Sequence, residues 1–289
     1  MILVIAGATG SGKSELAIAL AKRIGGEVIN ADAFQLYQEL SIATAKPSKE
    51  MREAVPHHLF DFVPLTEDYD VYQYQKALRT CIEEVLSRGK TPILAGGTGL
   101  YIRAGLFDYE FEEWPEVDMS DLDALDDQAL FRELEKVDPE EAKKLHPNNR
   151  PRVRRALEIF RAKGITKTEY LSKQEHKPIY PVRFFGLKPE RDELYAKVEK
   201  RVDKMFEEGL VEEDKRLIEK YGRSCRAFQA IGVKELFPYF DGEKSLEECK
   251  DEIKKNTRHY VKRQDTFFAH QFEIEWMDGL EDILKRLEQ

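Results

Sequence analysis

The sequence predicts an α/β protein in which helices flank a parallel sheet and a mostly helical segment is inserted into the chain. Short apolar runs followed by amphipathic helical patterns recur along the sequence, which is typical of this class. Two of these runs end in glycine-rich turns, at the place where a parallel sheet binds its ligand. The composition becomes strongly acidic after residue 107. We therefore predict a core of residues 1–107 and 179–289, and an inserted segment at 108–178.

The first strand is predicted at Ile2–Ala6, an apolar and β-branched run that leads into a phosphate-binding motif. The motif reads G-x-x-x-x-G-K-S and consists of Gly7, Ala8, Thr9, Gly10, Ser11, Gly12, Lys13 and Ser14. Its glycines let backbone N–H groups face an anion, its lysine adds a positive charge, and its serine hydroxyl suits Mg²⁺. The helix predicted after it points its positive end at the same anion. The sequence thus predicts a P-loop NTPase-like core with a magnesium ligand at Ser14, and leaves the phosphate compound open.

A second strand is predicted at residues 27–32, and its last residue is an aspartate. Because the carboxyl ends of parallel strands meet at one edge of the sheet, we expect Asp32 to point towards the P-loop. A carboxylate there could hold magnesium or act as a general base. It could also cap the segment Ala33–Tyr37, which we predict to be a helical turn. The residues alone leave these roles open.

A second glycine-rich turn follows the strand predicted at Pro92–Ala95. It reads Gly96-Gly97-Thr98-Gly99, and it is preceded by an amphipathic helix predicted from Val71 to Arg88. The glycines could open the backbone to a ligand, with Thr98 offering a hydroxyl. They could equally allow tight packing of a helix, so both interpretations stay open.

The predicted insertion begins with a solvated acidic stretch that contains ten acidic residues and no basic one between Asp108 and Asp127. Helical patterns return at 129–136 and 139–145, and a basic helix is predicted to begin at Arg150, with Pro151 in its first turn. Arg152 and Arg155 on its outer face could contact phosphates. Alternatively, this basic face only offsets the acidic stretch.

The chain then returns to the predicted core with a strand at Arg183–Leu187 and a helix at Asp192–Glu208. A second basic helix runs from about Glu247, and aromatic residues alternate with its lysines and arginines near Tyr260. This pattern fits an RNA-facing helix, because aromatic rings stack on bases while cations bind phosphates. A last strand is predicted at Phe272–Trp276, followed by a short amphipathic helix.

The composition excludes several classes of protein. The 289 residues include 46 basic and 55 acidic ones, and the net charge of −9 argues against a protein that coats nucleic acid indiscriminately. The three cysteines have no spacing typical of zinc or of a disulfide framework, which predicts a cytoplasmic protein with reduced thiols. No apolar run approaches the ~18 residues of a membrane span, and no secretion signal is predicted. We predict a monomer, since no sustained apolar seam is present.

Taken together, the motifs resemble those of the IPP transferase family of bacterial tRNA dimethylallyltransferases over nearly the whole chain. The shared motifs are the P-loop, Asn30-Ala31-Asp32 with Gln35 and Tyr37, Ala43 to Pro47, Pro56 to Leu59, Gly96 to Tyr101, His146 to Asn149, Arg155 to Glu158, Gly232 with Lys234 and Glu235, and Lys262 to Gln264. The family transfers a dimethylallyl group from dimethylallyl diphosphate to the N6 amine of adenosine 37 in tRNAs that read codons beginning with U.

The resemblance implies a role for each motif. The P-loop would hold the diphosphate with Mg²⁺, Asp32 would accept the proton of the amine, and Thr98 would lie beside the bridging oxygen. Lys215 or Arg216 would complete the diphosphate site. The insertion and the basic helices would bind the tRNA anticodon stem-loop, through Asp32, Ala33, Phe34, Gln35, Pro151, Arg152, Arg154, Arg155, Gln229, Gly232, Lys234, Arg258, Lys262 and Arg263.

Three other functions compete with this one. An adenylate isopentenyltransferase would use the same donor on a free nucleotide, which needs no basic helices. A P-loop kinase would transfer a phosphoryl group, although no arginine-rich lid is evident. A non-catalytic RNA-binding P-loop protein would not need Lys13, Asp32 and Thr98 together.

Overall fold

A six-stranded parallel sheet organises the larger part of the chain, as the sequence predicts. The strands are β1 (Ile2–Ala6), β2 (Glu27–Asn30), β3 (His57–His58), β4 (Pro92–Ala95), β5 (Val182–Leu187) and β6 (Glu275–Met277). Their order is β3-β2-β4-β1-β5-β6. Each neighbouring pair is parallel, and β1 lies between β4 and β5. The carboxyl ends of β1, β2 and β4, which precede the P-loop, Asp32 and Gly96, therefore meet at one edge.

The structure is a computed structural model that describes residues 1–109, 111, 116–172, 176–187 and 189–289. It divides into two compact units, one formed by Met1–Phe107 with Pro178–Gln289 and the other by Asp108–Lys177. Within the described residues, no helix has both the length and the apolar character needed to cross a bilayer.

Helices cover both faces of the sheet in the first unit. They are α1 (Lys13–Ile24), α2 (Lys49–Ala54), α3 (Val71–Ser87), α4 (Gly99–Leu106), α10 (Arg191–Glu207), α11 (Leu210–Tyr221), α12 (Phe237–Phe240), α13 (Leu246–Gln271) and α14 (Leu280–Leu287). Side chains of β1 alternate between the two cores, because successive strand residues point to opposite faces. Ile2 and Val4 pack in the larger core, and Leu3 and Ile5 pack in the core beneath α1 and α14.

The second unit is helical and has its own core. Its helices are α5 (Ser120–Asp123), α6 (Asp127–Val137), α7 (Pro139–Ala142), α8 (Arg150–Lys163) and α9 (Lys167–Ser172). Residues 110 and 112–115 of the predicted acidic stretch lie outside the described residues. The described remainder is more ordered than predicted, because Met119 is buried against Leu130 and Val153 while the acidic side chains face outward.

The segment after Asp32 forms the predicted turn. Residues 33–36 are a hydrogen-bonded turn in which the Tyr37 N–H donates to the Phe34 carbonyl at 3.3 Å, and the Asp32 carboxylate caps its start by accepting the Phe34 N–H at 2.9 Å. This segment ends at Tyr37, which forms an isolated bridge with Val63. The last strand begins at Glu275 and not at the predicted Phe272, since α13 continues to Gln271 and leaves only Glu275–Met277 to pair with β5.

Candidate active site

The carboxyl edge of the sheet opens into a cleft of about 1050 Å³, formed entirely by the first unit. Thr9 to Ser14 of the P-loop form one wall, and Asp32 with its neighbours forms another. The loop 41–49 closes one side of the cleft, and helices α10 and α13 contribute to the opposite side. The cleft therefore contains both the P-loop and Asp32, which the parallel sheet brings to one edge.

The P-loop adopts a conformation that favours glycine at three positions. Gly7, Gly10 and Gly12 have φ angles of +144°, +80° and +91°. A Cβ at Gly10 would also lie 2.6 Å from Cγ1 of Val198 on α10. The turn leads directly into the N-terminus of α1, whose first residue is Lys13. The Lys13 Nζ donates a hydrogen bond to the Ala8 carbonyl at 2.7 Å, so the loop folds around its own lysine.

Two cations face the P-loop, and neither is well solvated. Lys13 is 9% exposed, and burial together with the nearby Arg201 lowers its pKa to about 8. Burial also lowers the pKa of Arg201, while the negative charges of Asp32 and Glu15 partly oppose this effect. Arg201 donates to the Thr9 hydroxyl at 3.2 Å. An anion bound here would relieve the mutual repulsion of the two cations and replace their lost hydration.

Arg201 is the cleft cation that the sequence interpretation missed. The expected candidates, Lys215 and Arg216, lie exposed on α11 outside the cleft lining, and Arg216 pairs with Glu39 at 3.2 Å. That expectation is wrong. A signal for Arg201 was present in the sequence, because it lies seven residues after Leu194 and next to Val202, on the apolar face of α10. A lone arginine on such a face needs a buried anionic partner.

Asp32 is held at the cleft by a buried amide. The Asn30 side chain donates to the carbonyls of Asp32 and Leu59, at 3.1 and 2.9 Å, and accepts from the Asp32 N–H at 2.9 Å. Tyr74 donates to the Asn30 carbonyl at 2.6 Å. One oxygen of the Asp32 carboxylate accepts from Phe34 at 2.9 Å. The carboxylate is thus fixed just beyond the carboxyl end of β2, where it is half-buried and lines the cleft.

The second glycine-rich turn is shaped by packing. A Cβ would lie 2.2 Å from the Ala31 carbonyl at Gly96, 2.0 Å from Nε2 of Gln264 at Gly97, and 2.3 Å from Cδ1 of Phe267 at Gly99. Close packing therefore explains all three glycines, and Gly96 and Gly97 also line the cleft. The packing interpretation is therefore confirmed, and ligand binding at this turn stays a prediction.

Thr98 connects this turn to the Asp32 segment. Its hydroxyl accepts from the Ala33 N–H at 3.0 Å, and its own N–H donates to Ala31 at 3.0 Å. Thr98 is not among the residues that line the cleft.

The loop 41–46 is fixed from three directions. Gln35 donates to the carbonyls of Thr44 and Ala45, at 3.0 and 3.2 Å. The Glu213 carboxylate accepts from the N–H groups of Ser41 and Ile42, at 3.1 and 2.8 Å. The buried side chain of Lys46 forms an ion pair with Asp61. This wall of the cleft is therefore preorganised.

The remaining predicted nucleic-acid contacts in the first unit divide into two groups. Those that line the cleft are Asp32, Phe34, Gln35, Gln229, Lys234 and Arg263. Those outside its lining are Ala33, Gly232, Arg258 and Lys262. Arg258 forms an ion pair with Glu199, and Lys262 is exposed on α13. Gly232 has a φ angle of +106° and donates to Glu235 at 2.9 Å.

In the second unit, the predicted contacts lie on α8. Pro151 and Arg152 are exposed in its first turn. Arg154 forms a two-pronged ion pair with Asp123, at 2.7 and 2.9 Å, and Arg155 pairs with Glu158 at 2.8 Å. At Arg154 the basic face therefore offsets the acidic stretch, which is the alternative that the sequence left open.

Comparisons with known proteins agree with this architecture. The model of the IPP transferase family matches residues 35–271. The tRNA dimethylallyltransferase of Anoxybacillus flavithermus is 44% identical over 285 residues, which cover 98% of this chain and 92% of that protein. A crystal structure of the tRNA delta(2)-isopentenylpyrophosphate transferase of Staphylococcus epidermidis is 34% identical, with a TM-score of 0.74 over 99% of this chain and 98% of that one.

A eukaryotic dimethylallyltransferase acting on tRNA is also similar, with 32% identity and a TM-score of 0.82 over 95% of this chain and 73% of that one. These relatives are similar to the chain over nearly its whole length, and the family model covers the insertion and the part of the cleft that follows residue 34. The chain therefore belongs to the IPP transferase family.

Proposed function

We propose that the protein transfers a dimethylallyl group from dimethylallyl diphosphate to the N6 amine of adenosine 37 in tRNAs that read codons beginning with U. The products are N6-dimethylallyladenosine and diphosphate. The observation that carries this proposal is the cleft that brings together the buried Lys13, the partly buried Arg201 and the Asp32 carboxylate. The relatives named as tRNA dimethylallyltransferases support it.

The P-loop would bind the leaving group. As the bond between the allylic carbon and the bridging oxygen breaks, the diphosphate gains negative charge. Lys13, Arg201 and the backbone N–H groups at the N-terminus of α1 would stabilise that charge. Their positions are fixed before substrate binds, by the bonds from Lys13 to Ala8 and from Arg201 to Thr9.

Asp32 would accept the proton that the N6 amine loses as the carbon–nitrogen bond forms. The lone pair of this amine is delocalised into the adenine ring, so the nitrogen attacks more readily when a base removes its proton. Asp32 is suited to this role because Asn30 and the Phe34 N–H fix its position at the cleft. The target base would leave its stack to reach the cleft, as bases do in other enzymes that modify them.

Magnesium would be held mainly by the substrate. Among the described residues there is no group of three or more His, Cys, Asp or Glu side chains that could hold a metal ion. Ser14 lines the cleft directly after Lys13, and Mg²⁺ commonly takes a few protein ligands together with phosphates and waters. The residues therefore fit a magnesium ion carried on the diphosphate, where it would neutralise negative charge on the leaving group.

The tRNA contacts would extend outward from the cleft. Ala33, Phe34 and Gln35 follow Asp32, the proposed general base, and would contact the flipped adenine. Gln229, Gly232, Lys234, Arg258, Lys262 and Arg263 would bind the anticodon stem-loop. Pro151, Arg152, Arg154 and Arg155 of the inserted unit would contact the tRNA backbone, with Arg154 exchanging Asp123 for a phosphate.

The test supplies labelled dimethylallyl diphosphate and magnesium with either unmodified tRNA or AMP. We expect label in the tRNA with the wild type, and a loss of at least about 100-fold with Asp32→Ala, which is typical of a lost general base. Asp278→Ala, a change at an exposed aspartate outside the cleft, serves as the control. Label in AMP would identify a nucleotide prenyltransferase, and transfer of the γ-phosphate of ATP would identify a kinase.

A further inference from the structure

Gln35 lines the cleft on the turn that begins at Asp32, and its side-chain amide has a fixed orientation. The Gln35 Nε2 donates to the carbonyls of Thr44 and Ala45, at 3.0 and 3.2 Å. An amide nitrogen carries two protons, so both protons are used. The opposite orientation would place the amide oxygen against two carbonyl oxygens and lose both bonds. The loop that bears these carbonyls therefore determines which end of the Gln35 amide is left over.

The end that is left over is the Oε1 atom of Gln35, which can only accept a hydrogen bond. It accepts none from the described residues, and it is not one of the enclosed side-chain atoms that lack a partner. A ligand in the cleft can therefore reach it. Asp32 offers a similar atom, because one of its carboxylate oxygens accepts the Phe34 N–H while the other accepts no hydrogen bond within the described part of the chain.

The turn that carries these two oxygens is itself held in place by the surrounding chain. The Ala33 N–H donates to the Thr98 hydroxyl at 3.0 Å. The Gln35 carbonyl accepts from the Asp61 N–H at 3.4 Å. Asp32 and Gln35 both line the same cleft and lie three residues apart on this turn. The cleft therefore contains two acceptor oxygens whose positions are set before a ligand binds.

A pair of acceptors suits a ligand group that has two N–H bonds to donate. The exocyclic amine of adenine is such a group, and its lone pair is delocalised into the ring. Guanine has a carbonyl oxygen at the same place on the purine ring. That oxygen would face the two acceptors with no proton between them, which leaves polar groups unpaired and costs affinity. The two oxygens therefore match an adenine amine and oppose a purine carbonyl.

We propose that Gln35 identifies the target base as an adenine by accepting, through Oε1, the N6–H bond that the reaction keeps. This inference rests on the proposed function and names the substrate group that Gln35 recognises. During transfer, the N6 nitrogen bonds to the allylic carbon, the bond from that carbon to the diphosphate oxygen breaks, and one N6 proton passes to Asp32. The other N6–H remains in the product. Its hydrogen bond to Gln35 strengthens as positive charge develops on the nitrogen.

The test measures how well the protein discriminates between two anticodon stem-loop RNAs. One has adenosine at the target position, and the other has purine riboside, which carries hydrogen in place of the amine. Binding is measured by fluorescence anisotropy without dimethylallyl diphosphate, so that no turnover occurs. We expect the wild type to bind the adenosine RNA at least about tenfold more tightly. Gln35→Met keeps the length of the side chain but removes the amide, and it should reduce this ratio about fivefold, as the loss of one hydrogen bond does.

Two control variants separate recognition of the amine from loosening of the loop. Asp61→Asn weakens the ion pair with Lys46, which belongs to the same loop, while Asp61 lies outside the cleft lining. It should lower the affinity for both RNAs equally and leave their ratio unchanged. Gln38→Met, at an exposed glutamine of the same segment, should change neither affinity. A ratio that is unchanged in Gln35→Met, or reduced as much in Asp61→Asn, would overturn the proposal.

The wild type provides an arm that needs no variant. A third RNA has inosine at the target position, and its carbonyl oxygen should face the two acceptors, so it should bind more weakly than the purine riboside RNA. Tighter binding of the inosine RNA would also contradict the proposal. Prenyl transfer to the adenosine RNA is assayed separately. Transfer without discrimination by Gln35 leaves the proposed function and removes this role, while discrimination without transfer does the reverse.

Discussion

The N–H of Thr9 and the Oε1 of Gln264 lie 2.8 Å apart, although 255 residues separate them in the sequence. The same side chain binds the Gly97 carbonyl. Two turns that end different strands are therefore held at a fixed separation by one amide from α13. The consequence is that the last long helix of the chain belongs to the phosphate site, and does not merely cover the sheet.

This relationship gives a first prediction. We expect Gln264→Leu to remove the partner of both the Thr9 N–H and the Gly97 carbonyl, and to destabilise the fold by about 1–3 kcal/mol because the Gly97 carbonyl is buried. Affinity for diphosphate should fall at least tenfold, because the P-loop loses its fixed conformation. Chemical denaturation and calorimetry measure the two effects. Gln128→Leu, at an exposed position, should change neither. Normal diphosphate affinity in Gln264→Leu would contradict the proposed coupling.

The neighbouring cations Lys13 and Arg201 predict that diphosphate binding depends on pH. The pKa of Lys13 in the free protein is about 8, so Lys13 is charged below this pH and increasingly neutral above it. We expect affinity for inorganic diphosphate to fall as the pH rises through about 8. Removing the neighbouring charge with Arg201→Gln should weaken binding overall and move this midpoint upward, since Arg201 is one cause of the lowered pKa.

Calorimetry between about pH 7 and pH 9.5 tests this behaviour around the Lys13 pKa. Lys197→Gln, at another cation on the cleft wall, is the matched control and should leave the midpoint in place. A midpoint that stays at the wild-type value in Arg201→Gln would show that the two charges do not interact.

The parts of the site that could be predicted are those encoded by residues close together in the sequence. The P-loop was evident because Gly10, Gly12 and Lys13 are adjacent in the chain and determine the backbone by themselves. Asp32 was evident for a similar reason, since the end of a strand places it. The parallel sheet followed from alternating apolar runs and helices, and the structure confirms it.

The rest depended on contacts that no local pattern encodes. Arg201 enters the cleft because α10 crosses the P-loop, where Val198 excludes a side chain at Gly10. Gly97 and Gly99 are glycines because Gln264 and Phe267 approach them, a cause that only the tertiary structure reveals.

Asp214 on α11 gives a prediction about stability. It is 0% exposed, and neither of its carboxylate oxygens has a hydrogen-bond partner in the described part of the chain. Burial, with the negative charges of Glu213 and Glu235, raises its pKa to about 8. The folded protein therefore keeps this proton while the unfolded chain, with a pKa near ~3.9, releases it. Stability should fall as the pH rises from about 4 to about 8.

Replacing this carboxyl with an apolar group of similar size tests the argument. We expect Asp214→Val to raise the free energy of unfolding at pH 8 by a few kcal/mol, and to flatten its decline between about pH 4 and pH 8. Urea denaturation across this range is the measurement. Glu212→Val, at an exposed position on the same helix, should leave the pH dependence unchanged. A wild-type stability that is level across this window would mean that Asp214 ionises normally in the fold.

Glu39 combines an unfavourable backbone with favourable charges, and the two can be separated by experiment. Its φ angle is +61°, a region that costs a non-glycine residue about 1–2 kcal/mol. Its carboxylate binds Tyr221, Lys220 and Arg216, which together lower its pKa to about 2.

We expect Glu39→Ala to destabilise the protein because it loses these bonds and keeps the strained backbone. Glu39→Gly loses the same bonds but removes the strain, so it should be more stable than Glu39→Ala by about 1 kcal/mol in urea denaturation. Gln38→Ala and Gln38→Gly, at the neighbouring exposed residue without a positive φ, should show the reverse order. Equal stability of the two Glu39 variants would show that the backbone relaxes when the carboxylate is removed.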